Sequence, residues 1–281
     1  MSRPASPAAL NDKMLSRFTQ ALVAIDKNFI EGVYLLGSIS LNDFHPNKSD
    51  IDFLVLCKKL PDDKTATQLK HIHQIIKKGY PTLALSGSYL SRSSIQSDDP
   101  QNIKTLSYHL GSMRYVNFEM GVVSLSELRS NAFTLLGQSA HTLPINITKI
   151  QLNKFLYQNI NSYWKTWIKK HSSFFHRKIL LLLFPRLTEW TVLGVARQLY
   201  TLKTGRIASK SEAGIYCLQH LSSQFHAVIT SALEIRKDDR NYPFLKSYAV
   251  KPSLKRLRET INCANYIVDE FNRVYHTQNN R

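Results

Sequence analysis

The spacing of apolar residues changes once along the chain, near residue 150, and this change restricts the possible folds most strongly. Before it, short apolar runs alternate with helical periodicity, and residues 33–36, 51–57, 82–90 and 113–118 are predicted to be strands. After it, apolar residues recur every three or four positions, as expected of packed helices. The pattern predicts an α+β fold, in which a mixed sheet with flanking helices is followed by an all-α bundle.

The predicted domains differ strongly in charge. Residues 1–9, rich in Pro, Ala and Ser, are expected to form a disordered tail, followed by a first domain over 10–148 and a helical domain over 149–281. Of the net charge of +17, residues 1–150 carry +4 and residues 151–281 carry +13. The basic second half is expected to attract a nucleoside triphosphate, a nucleic acid or an acidic surface, unless it is only a solvated surface.

A serine with a glutamate three positions later is typical of a helix start, because the two side chains cap each other's backbone N–H groups. Ser124 with Glu127 and Ser209 with Glu212 fit this pattern. A helix is therefore predicted to begin at each of these serines.

Cysteine content and hydropathy predict a cytoplasmic protein without a membrane partner. The three cysteines, Cys57, Cys217 and Cys263, are odd in number and widely spaced, which favours reduced thiols. The N-terminus has no apolar segment of the signal-peptide type. The longest purely apolar run, at 179–184, is far shorter than the roughly 20 residues that a membrane-spanning helix needs, and it is predicted to lie in a buried helix.

Two short motifs lie around the start of the second predicted strand. A Gly-Ser pair at 37–38 follows the first strand, and the sequence Ser-Asp-Ile-Asp at 49–52 opens the second. Side chains two positions apart on a strand point to the same face, so Asp50 and Asp52 are expected to project together, about 7 Å apart. Two carboxylates this close repel each other unless a cation lies between them, and Mg²⁺ binds carboxylates while leaving positions open for phosphate. Gly37 lets the backbone approach a ligand, and the N–H groups of a following helix start can bind phosphate.

These motifs, in this order, resemble the signature of the polymerase-β-type nucleotidyltransferase superfamily. Within it, the chain is most similar to the aminoglycoside (streptomycin/spectinomycin) adenylyltransferases. In the second half, VLGVARQLYTLKTGRIASKSEAG at 192–214 resembles the helical-domain segment of that family. LSGSYLS at 85–91 and NAFTLLGQ at 131–138 are shorter similarities, so the resemblance extends over residues 33–237.

The resemblance implies an adenylyltransferase that uses Mg²⁺ and ATP, acts as a monomer and modifies a hydroxyl group of a small molecule, in this family an aminoglycoside. It assigns the metal to Asp50 and Asp52. It assigns the triphosphate to Gly37, Ser38 and Ser49.

The resemblance also assigns residues of the helical domain. Arg197 and Lys210 would reach the ATP phosphates. Aminoglycosides are polycations, and the family places acidic residues for them just ahead of the helix at 187–202. In the matching stretch here, HRKILLLLFPRLTEW at 176–190, Glu189 is the only acidic residue.

The chain departs from the family at one expected carboxylate, which helps to hold metal or acts as general base on the acceptor hydroxyl. Ser86 stands where relatives carry Glu or Asp, and a serine hydroxyl does not accept a proton near neutral pH without a partner base. Glu119, at the end of the last predicted strand, is the best-placed substitute by sequence, and it is the candidate third catalytic acid.

Two other functions stay open at this point. The chain could be a nucleotide-binding protein that keeps the fold and has lost its base. It could also be a nucleotidyltransferase acting on RNA or on a protein, which the basic second half would favour.

Overall fold

The computed structural model describes residues 9–26, 28–46, 48–172, 185–237 and 254–279. They belong to two units, Met1–Ile147 and Thr148–Arg281. The tail expected at 1–9, apart from Ala9, and the apolar run at 179–184 lie outside the described residues. Among the helices described, none is both long and apolar enough to cross a membrane.

A six-stranded mixed sheet forms the centre of the N-terminal unit. Its strands are β1 (Ile30–Leu36), β2 (Ile51–Cys57), β3 (Leu85–Ser91), β4 (Lys104–His109), β5 (Ser112–Asn117) and β6 (Phe133–Gly137). Their order across the sheet is β5-β4-β3-β2-β1-β6. β2 and β3 are parallel, and the other neighbouring pairs are antiparallel. The sequence analysis missed β4 and β6.

Helices cover both faces of this sheet. They are α1 (Ala9–Val23), α2 (Gly37–Ser40), α3 (Asp63–Gly79) and α4 (Gly121–Ser130). On one face, Phe53 and Val55 of β2 belong to the same buried cluster as residues of α1 and α3. On the other face, Leu54 and Leu56 of β2 pack in one cluster with Leu125 of α4. Asp52, by the alternation of a strand, lies on this second face.

The helix starts show where capping patterns succeed and fail. α3 begins after Asp62, whose carboxylate accepts a hydrogen bond from the Thr65 N–H at 3.0 Å. α4 begins at Gly121, three residues before the predicted start at Ser124, so Glu127 lies in the middle of the helix. The predicted start at Ser124 is wrong, and the carboxylate of Glu127 is used elsewhere.

The C-terminal unit is helical throughout its described residues. Its helices are α5 (Lys149–Asn159), a π-helical turn (Ile160–Trp164), α6 (Lys165–Ser172), α7 (Pro185–Thr204), α8 (Lys210–His220), α9 (His226–Lys237) and α10 (Leu254–Asn279). α7 is buried on nearly all sides and packs against α8, α9 and α10, which makes it the central helix. Ser209 caps α8 by accepting a hydrogen bond from the Glu212 N–H, as predicted. The predicted α+β architecture, with a mixed sheet followed by a helical bundle, is confirmed.

Candidate active site

The Gly-Ser motif lies where β1 meets β2. Leu36, the last residue of β1, pairs with Asp52 of β2, and Gly37 then takes a left-handed conformation with φ +65°. A Cβ atom at position 37 would collide with the Asp52 carboxylate, so only glycine fits there. The Ser38 hydroxyl is buried and has no hydrogen-bond partner among the described residues. A buried hydroxyl without a partner fits a site that a ligand such as phosphate or a metal completes.

The two aspartates flank the start of β2. Asp50 immediately precedes the strand, Asp52 is its second residue, and both side chains are half-buried. Ser49 holds the preceding turn, because its hydroxyl accepts a hydrogen bond from the His45 N–H at 3.1 Å. Oxygen donors of this kind suit Mg²⁺. Within the described ranges, no group of three or more His, Cys, Asp or Glu side chains forms a metal cluster.

Ser86 is the direct neighbour of Asp52 on the next strand. The two residues are Cα partners in the parallel pair of β2 and β3, so their side chains share the second face of the sheet. The Ser86 hydroxyl is 3.0 Å from Nδ1 of His109, the last residue of β4. The row Asp52, Ser86 and His109 therefore crosses three strands. His109 was not found from the sequence, because the strand that carries it was not recognised.

Glu119 lies at the other end of the sheet. β5 begins at Ser112, beside His109, and ends at Asn117, which pairs with Lys104. This end is five residues along the strands from the Asp52 row, or roughly 16 Å at the rise of a β-strand. The expectation that Glu119 is well placed to serve the aspartates is wrong, because the unrecognised β4 reverses the chain before β5 begins.

Glu127 is the acid that does contact the Gly-Ser segment. Its carboxylate Oε1 accepts hydrogen bonds from the Gly37 N–H at 2.5 Å and from the Ser40 hydroxyl at 2.9 Å. Its side chain is buried, at 5% exposure for the residue. Glu127 thus fixes the conformation of α2, and the Gly37 N–H that the sequence analysis offered to phosphate is already bonded. No local pattern predicts this contact, which joins residues 90 positions apart.

In the C-terminal unit, the three residues singled out from the sequence make internal contacts. The Lys210 ammonium lies 3.1 Å from Oε1 of Glu189, and the Arg236 guanidinium lies 3.0 Å from the same oxygen. Arg197, on α7, donates from Nε to the Ala208 carbonyl at 2.8 Å. Sequence reasoning missed Arg236, which is itself buried.

The charge balance of this cluster favours an ionised Glu189. Burial raises the pKa of Glu189, but the charges of Lys210 and Arg236 and their hydrogen bonds outweigh it and leave the pKa below its ordinary value. A carboxylate with two cationic partners is strongly stabilised in its charged form. To bind an acceptor amine, Glu189 must release at least one of these partners.

Comparisons with protein families assign both halves of the chain. Residues 15–95 match the model of the nucleotidyltransferase domain. Residues 180–260 match the model of the C-terminal domain of aminoglycoside adenylyltransferase. The chain combines a nucleotidyltransferase domain with the C-terminal domain of the aminoglycoside adenylyltransferases. The first match confirms the nucleotidyltransferase domain that the motifs at 37–38 and 49–52 predicted.

One solved structure supports the same fold for this chain. The crystal structure of spectinomycin adenyltransferase AAD(9) from Enterococcus faecialis, with ATP and spectinomycin, covers 92% of this chain and 99% of its own with 15% identity and a TM-score of 0.69. The structure of E. coli MS115-1 CdnC with ATP covers 94% of this chain and 83% of its own at 10% identity, but its TM-score of 0.27 is too low to inform the fold. No curated protein sequence matches the chain significantly.

Proposed function

We propose that this protein transfers AMP from ATP to a hydroxyl group of a small molecule, with Mg²⁺ as cofactor. The observation that carries the proposal is the junction of β1 and β2. There Gly37, whose positive φ and contact with Asp52 disfavour any side chain, lies against that carboxylate, and the buried Ser38 hydroxyl, which has no partner among the described residues, fits a ligand site. The AAD(9) structure with ATP shows that the fold is compatible with this nucleotide in a related protein.

The candidate residues of the N-terminal unit have distinct proposed roles in this reaction. Asp50 and Asp52 would hold Mg²⁺, which when bound offsets negative charge on the phosphates. Gly37, Ser38 and Ser49 would line the triphosphate. The acceptor oxygen attacks the α-phosphorus, the bond to the bridging oxygen breaks, and pyrophosphate leaves. The chain contributes by orienting the reactants and by keeping the loop rigid through Glu127.

In the C-terminal unit, Arg197 and Lys210 are the proposed phosphate ligands, and Glu189 is the proposed ligand of the acceptor. The aminoglycoside class of acceptor follows from the family and from the spectinomycin bound in AAD(9). Glu189 is the acidic residue that the resemblance offers for one of the acceptor amines, and it must release Lys210 or Arg236 to bind one.

A second candidate function is nucleotide binding without transfer. It is favoured by Ser86, because a hydroxyl stands where the family carries a carboxylate. Binding of Mg-ATP without any product would be its signature.

The test is incubation of the protein with Mg²⁺, each labelled nucleoside triphosphate and a panel of acceptors that includes aminoglycosides, RNA and a protein. We expect labelled AMP on a small-molecule acceptor and release of pyrophosphate. Product only on RNA or on the protein would mean that the acceptor is a macromolecule and not a small molecule. Tight ATP binding with no labelled product on any acceptor would mean that the protein binds the nucleotide without transferring it. In the same assay Asp52→Asn, which neutralises a proposed metal ligand, should lose transfer. Asp98→Asn, which neutralises an exposed acid outside the motifs, is its charge-matched control.

A further inference from the structure

The strand register brings a histidine to the part of the sheet that lacks the expected acid. The antiparallel register of β3 and β4 pairs Gly87 with Tyr108, so the next positions, Ser86 and His109, lie opposite each other, in agreement with their side-chain contact of 3.0 Å. Asp52 is the partner of Ser86 on the other side. His109 is therefore two strand spacings from Asp52, about 10 Å between Cα positions, and its side chain is on the same face.

The position of the His109 ring is fixed from two directions. Ser86 Oγ lies 3.0 Å from His109 Nδ1. The backbone is held by a two-residue hairpin, Leu110-Gly111, which closes on the pair His109–Ser112. Both hairpin residues have positive φ, 49° for Leu110 and 80° for Gly111, as a tight turn between twisted strands requires. A leucine in this conformation is uncommon, and here it is exposed, so apolar packing does not account for it.

This arrangement leaves one ring nitrogen available. When Nδ1–H donates to Ser86 Oγ, Nε2 is the unprotonated nitrogen and can accept a proton. The His109 side chain is exposed, so a reactant can reach it. Neutral imidazole accepts protons at physiological pH, which a serine hydroxyl alone does not.

We propose that His109, oriented by Ser86, is the general base that replaces the family's missing carboxylate. Nε2 takes the proton of the acceptor hydroxyl as its oxygen forms a bond to the α-phosphorus of ATP. The bond between that phosphorus and the bridging oxygen breaks, and its electron pair leaves with pyrophosphate. Ser86 is a positioning residue, because it acts only through the ring of His109. This inference rests on the proposed transfer of AMP.

The experiment measures AMP transfer and, separately, Mg-ATP binding in wild type, His109→Ala, His109→Gln and Ser86→Ala. Transfer to water, seen as slow release of AMP and pyrophosphate, is included with the acceptor panel. His109→Ala and His109→Gln should lose about 10²–10⁴-fold in kcat, the usual contribution of a general base, while the Kd for Mg-ATP stays at the wild-type value. Ser86→Ala should lose about 2- to 10-fold, as expected for one neutral hydrogen bond.

Rescue by added imidazole distinguishes a general base from a residue that only supports the structure, because imidazole can accept a proton but cannot restore lost packing. It should restore part of the rate of His109→Ala and leave wild type unchanged. His71→Gln, which changes an exposed histidine on α3, is the matched control and should behave as wild type.

The contrary results separate the two proposals. Three results would overturn the role of His109 and leave AMP transfer standing. They are a His109→Ala variant as active as an active wild type, a loss of ATP binding together with the rate, and no rescue by imidazole. Wild type that transfers AMP to no hydroxyl, water included, overturns the proposed function and with it the role of His109.

Discussion

In the N-terminal unit the buried hydroxyl of Ser38 has no hydrogen-bond partner among the described residues, whereas in the C-terminal unit the buried carboxylate of Glu189 is shared by Lys210 and Arg236. A buried polar group without a partner costs free energy, so its presence calls for an explanation such as a bound ligand or ion. A buried carboxylate with two cations is already completed by the protein. The contrast fits the proposal that the junction of β1 and β2 binds a ligand, whereas the Glu189 cluster, as it stands, links α7, α8 and α9.

The structural role of the Glu189 cluster is tested by removing the charge at its centre. Glu189→Gln removes the buried carboxylate that contacts both Lys210 and Arg236, so the free energy of unfolding should fall by about 3–5 kcal/mol. Urea denaturation of the full chain measures it. Glu259→Gln, which removes an exposed ion pair on α10, is the control and should cost less than about 1 kcal/mol. A Glu189→Gln protein as stable as wild type would mean that the cluster is not structural and that Glu189 is held ready for a ligand.

The stability of the junction of β1 and β2 is tested at Glu127, the buried acid that accepts hydrogen bonds from the Gly-Ser segment. Glu127→Gln replaces charge-assisted hydrogen bonds to Gly37 and Ser40 by neutral ones, and we expect a loss of about 2 kcal/mol in the free energy of unfolding. Denaturation with the Asp98→Asn variant as control measures this loss. Unchanged stability in Glu127→Gln would show that α2 is held without its carboxylate.

The core of the N-terminal unit adds a pH dependence of its own. Burial lowers the pKa of His73 to about 3, and the ring stacks on Tyr108 and bonds the Tyr89 hydroxyl. The unfolded chain therefore binds a proton near pH 6.5 that the folded chain does not bind until about pH 3. Stability should be fully present above pH 6.5 and fall as the pH drops through this window, by at most about 1.4 kcal/mol per pH unit.

Denaturation midpoints of wild type and His73→Phe, measured between neutral and acidic pH, check this dependence. The variant keeps an aromatic ring in the cluster and should lose the part of the slope that His73 contributes. Parallel slopes in the two proteins would show that other groups dominate the acid response.

Sequence patterns recovered the elements that rest on local rules. The start of α8 at Ser209 follows from a cap within three residues, and β2 follows from its apolar run. β4 was missed because Ser107 and His109, on the face that carries the site, interrupt its apolar pattern. The contact of Glu127 with Gly37 and that of Ser86 with His109 join distant segments through the sheet, so only the register reveals them.

The claim that the junction of β1 and β2 binds Mg-ATP is tested most directly by ATP titration of wild type and Asp52→Asn, with and without Mg²⁺. Asp52 lies against Gly37 and beside Ser86, and its neutralisation removes a proposed metal ligand without emptying the core. The account predicts Mg²⁺-dependent ATP binding in wild type, its loss in Asp52→Asn, wild-type binding in Asp98→Asn, and unchanged folding of both variants by circular dichroism. Equal affinity for Mg-ATP in wild type and Asp52→Asn would contradict it.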